Sequence, residues 1–350
     1  MDTAEKSDIR KLSREALRTF FTENGEQAFR GNQVYEWLWQ KGAHSFEAMT
    51  NLSLAHRELL TTHFTINHIA VDQMQRSTDG TIKNAVRLHD GLIVESVLIP
   101  TESRTTACVS SQVGCSLDCR FCATARLKRM RNLNPDEIFD QVVVIDRQSR
   151  LYFGRPLSNI VFMGMGEPLM NYPNVVKAIR MISSEEGLGM SPKRITVSTS
   201  GVPKMIRKLA DEELRCNLAV SLHSAVEETR TEIMPFNAKM PLKDLKESIV
   251  YWYDKTRSRI TYEYVVWEGI NDAPADIRAF LDFCKAAPCK VNLIEYNPID
   301  DGDFRQASEQ AIQAYVRALE SAGITVTVRR SRGKDIDAAC GQLANKEANT

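Results

Sequence analysis

The chain has 350 residues, with 45 Lys plus Arg against 45 Asp plus Glu, 43% hydrophobic residues and 8 cysteines. Such a length supports a sizeable core, in one large domain or one plus a smaller one, and the apolar and charged fractions are those of an ordinary soluble globular protein. The balanced charge predicts no polyanion partner by itself, although a neutral total leaves room for a local basic face.

The opening stretch MDTAEKSDIRKLSRE is polar and has no apolar signal core. No apolar run approaches the roughly 18 residues that a membrane helix needs. Cysteines without an export signal point to a reducing, cytoplasmic setting in which thiols stay free for metal binding or catalysis. Residues 8–64 then read as helical. Leu12, Leu17, Phe20 and Phe21 suggest one apolar face, Val34, Trp37 and Leu38 a second, and Leu54, Leu59 and Leu60 a third. Arg30, Lys41 and Arg57 on this unit are either a solvated face or phosphate contacts.

Residues 82–88 and 92–99 alternate apolar and polar around Asp90-Gly91, a strong hairpin signal. Glu95 lies near the middle of the second run, where a carboxylate is ordinarily on the wet face. From 105 onward, strands are expected at 105–110, 159–163, 194–199, 216–222, 260–267, 290–295 and 324–330. Helices are expected at 134–148, 173–185, 203–213, 242–254, 275–286 and 306–321. Strands rich in Val and Ile alternating with helices imply βαβ units around a parallel sheet, hence an α/β fold with a partial or full β/α barrel. Its ligands should gather at the C-terminal strand ends. The expected division is 1–75 helical accessory unit, 76–104 hairpin extension, 105–335 barrel core and 336–350 C-terminal segment.

The most specific stretch follows the first barrel strand: Cys108-Val-Ser-Ser-Gln-Val-Gly-Cys115-Ser-Leu-Asp-Cys119-Arg-Phe-Cys122. Cys115, Cys119 and Cys122 have the spacing C-x3-C-x2-C. Thiolates are the usual ligands of iron–sulfur clusters, and a complete 4Fe–4S site takes four. Three close ligands suggest a cluster with one iron left open for a bound molecule. A closed zinc site completed by Cys108 is the alternative that spacing leaves open.

Other polar residues leave predicted strand ends. Gly164-Met-Gly166-Glu167-Pro168 follows 160–163, and its glycines permit close backbone approach to a ligand. Ser198 precedes Gly201, Ser221-Leu222-His223 ends another strand, and Asn297-Pro298 follows a third. Singly, each is more often a cap or turn residue. Cys340 lies near the C-terminus between Gly333 and Gly341, which suggests a flexible loop. Cys216, Cys284 and Cys289 read as small buried hydrophobes. Arg126, Lys128, Arg129 and Arg131 follow the cysteine triplet, and Arg329, Arg330, Arg332 and Lys334 precede Cys340. Two runs bracketing one mouth favour a polyanion.

C-x3-C-x2-C with Phe121 before the last cysteine resembles the radical S-adenosylmethionine superfamily. The context CVSSQVGC, followed by Gly-Met-Gly-Glu-Pro, resembles more narrowly the RlmN/Cfr family of RNA adenosine methyltransferases, from about Phe29 to about Leu343. The segment Phe29-Arg30-Gly31-Asn32-Gln33-Val34 belongs to this likeness and implies RNA contact by the helical unit. The resemblance implies a 4Fe–4S cluster on Cys115, Cys119 and Cys122, with two S-adenosylmethionine used per turnover. It implies cofactor contacts from Gly166, Glu167, Ser198, Ser221, Leu222, His223 and Asn297. It further implies that Cys340 is methylated and hands on the carbon, that Cys108 resolves the adduct and is not a cluster ligand, and that Glu95 or Cys108 takes the proton. The implied products are adenosines methylated at carbon 2, in 23S ribosomal RNA and just 3′ of a tRNA anticodon, with carbon 8 the nearest alternative. The implied helpers are an electron donor and a disulfide reductant, around a monomer. The rivals are a radical enzyme acting on a small molecule or protein, and a non-enzymatic RNA-binding protein with a structural metal.

Overall fold

The computed structural model describes residues 6–300 and 302–345. The outermost parts of the 1–75 and 336–350 segments therefore lie outside the described residues. Three helices come first: α1 (Arg14–Glu23), α2 (Phe29–Trp39) and α3 (Leu54–His63). Ser13 and Ser53 cap α1 and α3 by accepting the N–H of Ala16 and His56. α1 and α2 cross so tightly that a Cβ on Gly31 would stand 2.5 Å from Arg18 N. A short parallel ladder, Ser7–Asp8 with Phe64–Thr65, closes this unit, so it is not purely helical as expected.

Then follow β1 (Ala70–Arg76), β2 (Ile82–Arg87), β3 (Ile93–Pro100), β4 (Thr105–Cys108), α4 (Pro135–Phe153), β5 (Asn159–Phe162), α5 (Tyr172–Ser183), β6 (Ile195–Thr199), α6 (Pro203–Asp211), β7 (Asn217–Ser221), α7 (Glu227–Ile233), α8 (Leu242–Thr256), β8 (Ile260–Val265), α9 (Pro274–Cys284), β9 (Cys289–Ile294), α10 (Glu309–Ser321) and β10 (Thr325–Arg329). Among the described residues β1–β10 form one ten-stranded sheet whose spatial order follows the chain. β1 to β4 are antiparallel neighbours; β4 to β10 are parallel. β1 and β10 are the two edges, so the sheet is open and the full-barrel alternative does not hold.

The hairpin is where Asp90-Gly91 puts it, with Gly91 at φ 82. β1 joins it as a third antiparallel strand that no alternation announced: nearly every residue of Ala70–Arg76 is exposed, so no buried face imposes a period of two. α4 runs past its expected end, from a capping box of Asn134 and Glu137 to Gly154 at φ 63. α7 was not expected, being short and polar.

The helical unit is fixed on α4. The Arg10 guanidinium makes a bidentate pair with Asp140, both bonds 2.6 Å, and lies over Trp39, which meets Phe139 edge-on. Among the described residues no helix is long and apolar enough to cross a membrane.

Candidate active site

One cavity opens where the parallel strands end, enclosing ≈ 1050 Å³ out to its mouth. β4 leads into the cysteine loop, whose base is closed by the short pair Gln112–Val113 with Arg131–Asn132. Cys115, Cys119 and Cys122 all line the cavity beside Phe121. Burial pushes the Cys115 thiol up to about 12 and the Cys119 thiol well above its ordinary value, and Cys122 adds to both. Arg230 pulls Cys119 the other way. Such thiols ionise only if a cation compensates them.

The turn after β5 approaches this loop closely. Gly166 sits at φ 95, and a Cβ there would stand 2.5 Å from Gln112 Cβ, so only glycine fits. Gln112 Oε1 takes the N–H of Glu167 at 3.0 Å and of Ser116 at 3.2 Å, tying the turn to the cysteine loop. Glu167 is buried, and its two oxygens accept Leu169 N at 3.0 Å and Ser200 N at 2.8 Å. Burial raises its pKa, and these bonds oppose the rise.

His223 follows β7 in the left-handed region, at φ 58. Asn271 holds the turn: its Nδ2 donates to His223 O at 2.6 Å and Val265 O at 2.9 Å, and its Oδ1 accepts Trp267 N at 2.7 Å. His223 Nδ1 accepts the N–H of Val265 at 3.2 Å, which leaves the ring proton on Nε2. Burial and then Arg230 lower its pKa to about 3, so it is a neutral donor packed edge-on against Phe121 and Trp267.

Cys340 lines the same cavity. It is reached by solvent through that opening, yet the surrounding protein raises its thiol to about 11, with Cys122 and Glu263 adding. Its loop is not slack, as the glycines suggested. Asn297 Nδ2 donates to Cys340 O at 3.2 Å, Ala123 N to Gly341 O at 2.8 Å, and Thr124 Oγ1 to Leu343 O at 2.7 Å. Gly333 and Gly341, at φ 67 and 86, make turns.

The cavity thus gathers Cys115, Cys119, Cys122, Gly166, Glu167, Ser198, Ser221, His223, Asn297 and Cys340. Three named residues stand outside its lining. Leu222 is fully buried, with its N–H on Glu263 O. Cys108 ends β4; burial, then Cys340, push its thiol up to about 12. Glu95 is not on a wet face: it is 4% exposed, with Oε1 3.5 Å from Lys83 Nζ and Oε2 accepting Ala344 N at 2.8 Å and Asn345 N at 3.2 Å. β1 and β4 pair with the outer edges of its hairpin.

Sequence reasoning missed three contributors. Arg230 is fully buried; its guanidinium bonds Leu222 O at 3.1 Å, Ser200 O and Asn237 Oδ1, joining the ends of β6 and β7. Glu263 on β8 is buried and lines the cavity; it takes Asn292 Nδ2 at 2.8 Å and pairs its other oxygen with Arg329 Nη1 at 3.5 Å. Ser200, two residues after Ser198, also lines the cavity and gives its N–H to Glu167. An arginine in a polar segment and a glutamate inside a buried strand were the available signals.

The basic runs are only partly free. Arg131 is bound to Asp90 and Glu137, Arg329 to Glu263, Arg330 to Glu309, Arg332 to Asp79 and Lys334 to Glu295. Lys128 and Arg129 remain exposed. On the helical unit Arg57 donates to Met49 O and Glu47 O and Lys41 pairs with Glu36, whereas Arg30 stacks on the exposed Phe29.

The donor set fits an iron–sulfur cluster with a small polar ligand. Three thiols line it together, the buried Arg230 cation acts on Cys119, and Glu167, Ser198, Ser221 and Asn297 line the same space. Cys108 stands outside the lining that the other three thiols share, which does not favour the closed zinc site with Cys108.

The family described as "Ribosomal RNA large subunit methyltransferase N-terminal domain" matches residues 7–66, and the "Radical SAM superfamily" matches residues 109–284. "Probable dual-specificity RNA methyltransferase RlmN" of Flavobacterium johnsoniae is 72% identical over 344 residues, covering 98% of this chain and 99% of its own. "Dual-specificity RNA methyltransferase RlmN" of Syntrophus aciditrophicus is 42% identical over 339 residues, covering 97% of each. A radical SAM methyltransferase from Sphaerobacter thermophilus, solved by crystallography, superposes with a TM-score of 0.90 at 38% identity, over 96% of this chain and 99% of that one.

Proposed function

Since the chain belongs to the RlmN family of radical S-adenosylmethionine RNA methyltransferases, we propose that it methylates carbon 2 of adenosine in 23S ribosomal RNA and in tRNA just 3′ of the anticodon. The observation that carries this reading is the meeting of the Cys115, Cys119 and Cys122 thiols with Cys340 in one cavity, with Cys108 close behind.

Carbon 2 of adenine is electron-poor and has no useful nucleophilicity, so ordinary methyl transfer fails there. When bound, the 4Fe–4S cluster and S-adenosylmethionine supply the electron and the radical chemistry that such a carbon demands. Cys115, Cys119 and Cys122 would hold the cluster. Gly166 lets the backbone approach the cofactor, and Glu167 and Asn297 offer acceptors for its amino acid end. Ser198, Ser221 and the backbone of Leu222 orient the rest, and His223 presents a neutral Nε2 donor.

The remaining work falls to the chain's own sulfurs. Cys340 first carries the methyl group and, after losing one of its hydrogen atoms to the radical that the bound cofactor would supply, joins the base through that carbon; the extra electron of the adduct would return to the cluster. Glu95 or Cys108 takes the proton lost from the adenine carbon. Cys108, as thiolate, attacks the Cys340 sulfur; the S–C bond breaks with its electron pair moving into the adenine-bound carbon, which takes a proton to become the methyl group, and a disulfide remains for a thiol reductant to reopen. The helical unit within 1–75 serves RNA contact, with Arg30 over Phe29 as a cation beside a stacking ring.

The test is mass spectrometry of ribosomal RNA and tRNA incubated with anaerobically reconstituted protein, with the modified atom located. Methylation at carbon 8, or of no RNA, overturns the reading.

A further inference from the structure

Cys340 is carried on a strap that the antiparallel strands hold on both sides of the thiol. Upstream, two aspartates cross over. Asp335 accepts Ser77 Oγ at 2.6 Å on Oδ1, and Thr78 N at 3.0 Å and Thr78 Oγ1 at 3.3 Å on Oδ2. Asp79 answers from the turn between β1 and β2: its Oδ2 accepts Gly333 N at 2.9 Å, and its carbonyl accepts Arg332 Nη2 at 2.6 Å. Downstream, Glu95 on β3 takes the N–H groups of Ala344 and Asn345.

Neither Asp79 nor Asp335 lines the cavity, and neither belongs to the sheet ladder. Asp79 Oδ1 also accepts Thr81 N at 2.9 Å within its own turn; the other bonds join the β1–β2 turn to the loop five residues before Cys340. A carboxylate accepting backbone N–H and hydroxyl groups is charge-assisted and directional. Arg332 and Gly333 donate to Asp79 while Asp335 accepts from Ser77 and Thr78, so the loop cannot lift from the turn without breaking both sets.

We propose that Asp335, with Asp79 across from it, is a positioning residue for Cys340, holding the strap to the β1–β2 turn so that the thiol stays aimed into the cavity. The antiparallel strands are then the frame on which the reactive thiol is mounted. This rests on the reading of Cys340 as the carbon-carrying sulfur. A thiol that must meet a cofactor methyl group and then a base is sensitive to placement, and a displacement of about 1 Å costs on the order of 10²-fold in rate.

The experiment uses full-length protein reconstituted with its cluster before any S-adenosylmethionine is added. Iodoacetamide labelling of Cys340 is followed by peptide mass spectrometry for the parent, Asp335→Asn, Asp335→Ala and Ser77→Ala, beside kcat, KM for S-adenosylmethionine and Tm. Asp335→Ala should label Cys340 several-fold faster and lose about 10-fold or more in kcat, with KM little changed. Asp335→Asn keeps an acceptor oxygen and should fall between. If Asp335→Ala does not fold, Ser77→Ala, which removes one bond, must still speed labelling. Folded Asp335→Ala with parental labelling and kcat overturns the proposal. A Cys340→Ala protein that still methylates RNA overturns the reading beneath it, whereas an inactive Cys340→Ala beside a parental Asp335→Ala removes the latch alone.

Discussion

Glu95 Oε2 accepts the backbone N–H of Ala344 at 2.8 Å, across a sequence separation of 249 residues. The same oxygen takes Asn345 N, and the other faces Lys83. The carboxylate expected to receive a proton is thus engaged by the segment that carries Cys340.

Replacing Glu95 should therefore affect stability as well as turnover. Glu95→Ala leaves two N–H groups without their acceptor and should lower the free energy of unfolding by about 1–3 kcal/mol, whereas Glu95→Gln keeps a carbonyl and should lose less. Urea titration measures both. An Ala variant as stable as the parent would mean that the contact contributes nothing.

Cys108→Ala should trap a covalent RNA adduct, because the Cys340–carbon bond then lacks the thiol that breaks it. Denaturing gels of protein incubated with labelled RNA would show a slow band. Clean turnover would remove the resolving role.

Cys340→Ala should abolish RNA methylation and leave the visible absorbance of the cluster intact. Loss of the absorbance would make Cys340 a ligand and not the carbon carrier.

Arg230→Met should cost roughly 3 kcal/mol, since it leaves Ser200 O and the buried Asn237 Oδ1 without their donor and Leu222 O with Ser224 N alone. Arg230→Lys should not rescue it, because an ammonium cannot reproduce the guanidinium fork. Chemical denaturation with far-ultraviolet circular dichroism checks both.

His223 predicts a pH effect with a definite sign. Its folded pKa is lowered to about 3, against 6.5 for a free histidine. Below 6.5 the unfolded chain binds a proton that the folded one refuses, so stability falls as the pH drops towards 3, by up to about 1.4 kcal/mol per pH unit. Asp136, raised to about 6 by burial, works in the opposite direction as the pH falls below 6. The difference between the parent and His223→Gln isolates the histidine. Equal acid limbs in the two proteins would refute a buried neutral ring.

What could be read from the linear chain was local. The triplet Cys115, Cys119 and Cys122 announced its chemistry because its spacing lies within one loop. Asp90-Gly91 announced a hairpin because two residues suffice to reverse a strand. The alternation of buried strands with amphipathic helices gave a parallel sheet, since each element answers to its own period. β1 escaped because an exposed edge strand imposes no period, and α7 because about two polar turns of helix look like a loop.

Tertiary structure alone decided the partners. Whether Glu95 is wet or buried depends on where residues 344 and 345 come to rest, and whether Cys340 hangs loose depends on Asn297, Ala123 and Thr124, which bond its loop. Arg230 became the tie between two strand ends only once β6 and β7 lay side by side. Local periodicity is written in neighbouring residues. A hydrogen bond between groups hundreds of residues apart exists only after the whole sheet has packed, and no short stretch of sequence carries it.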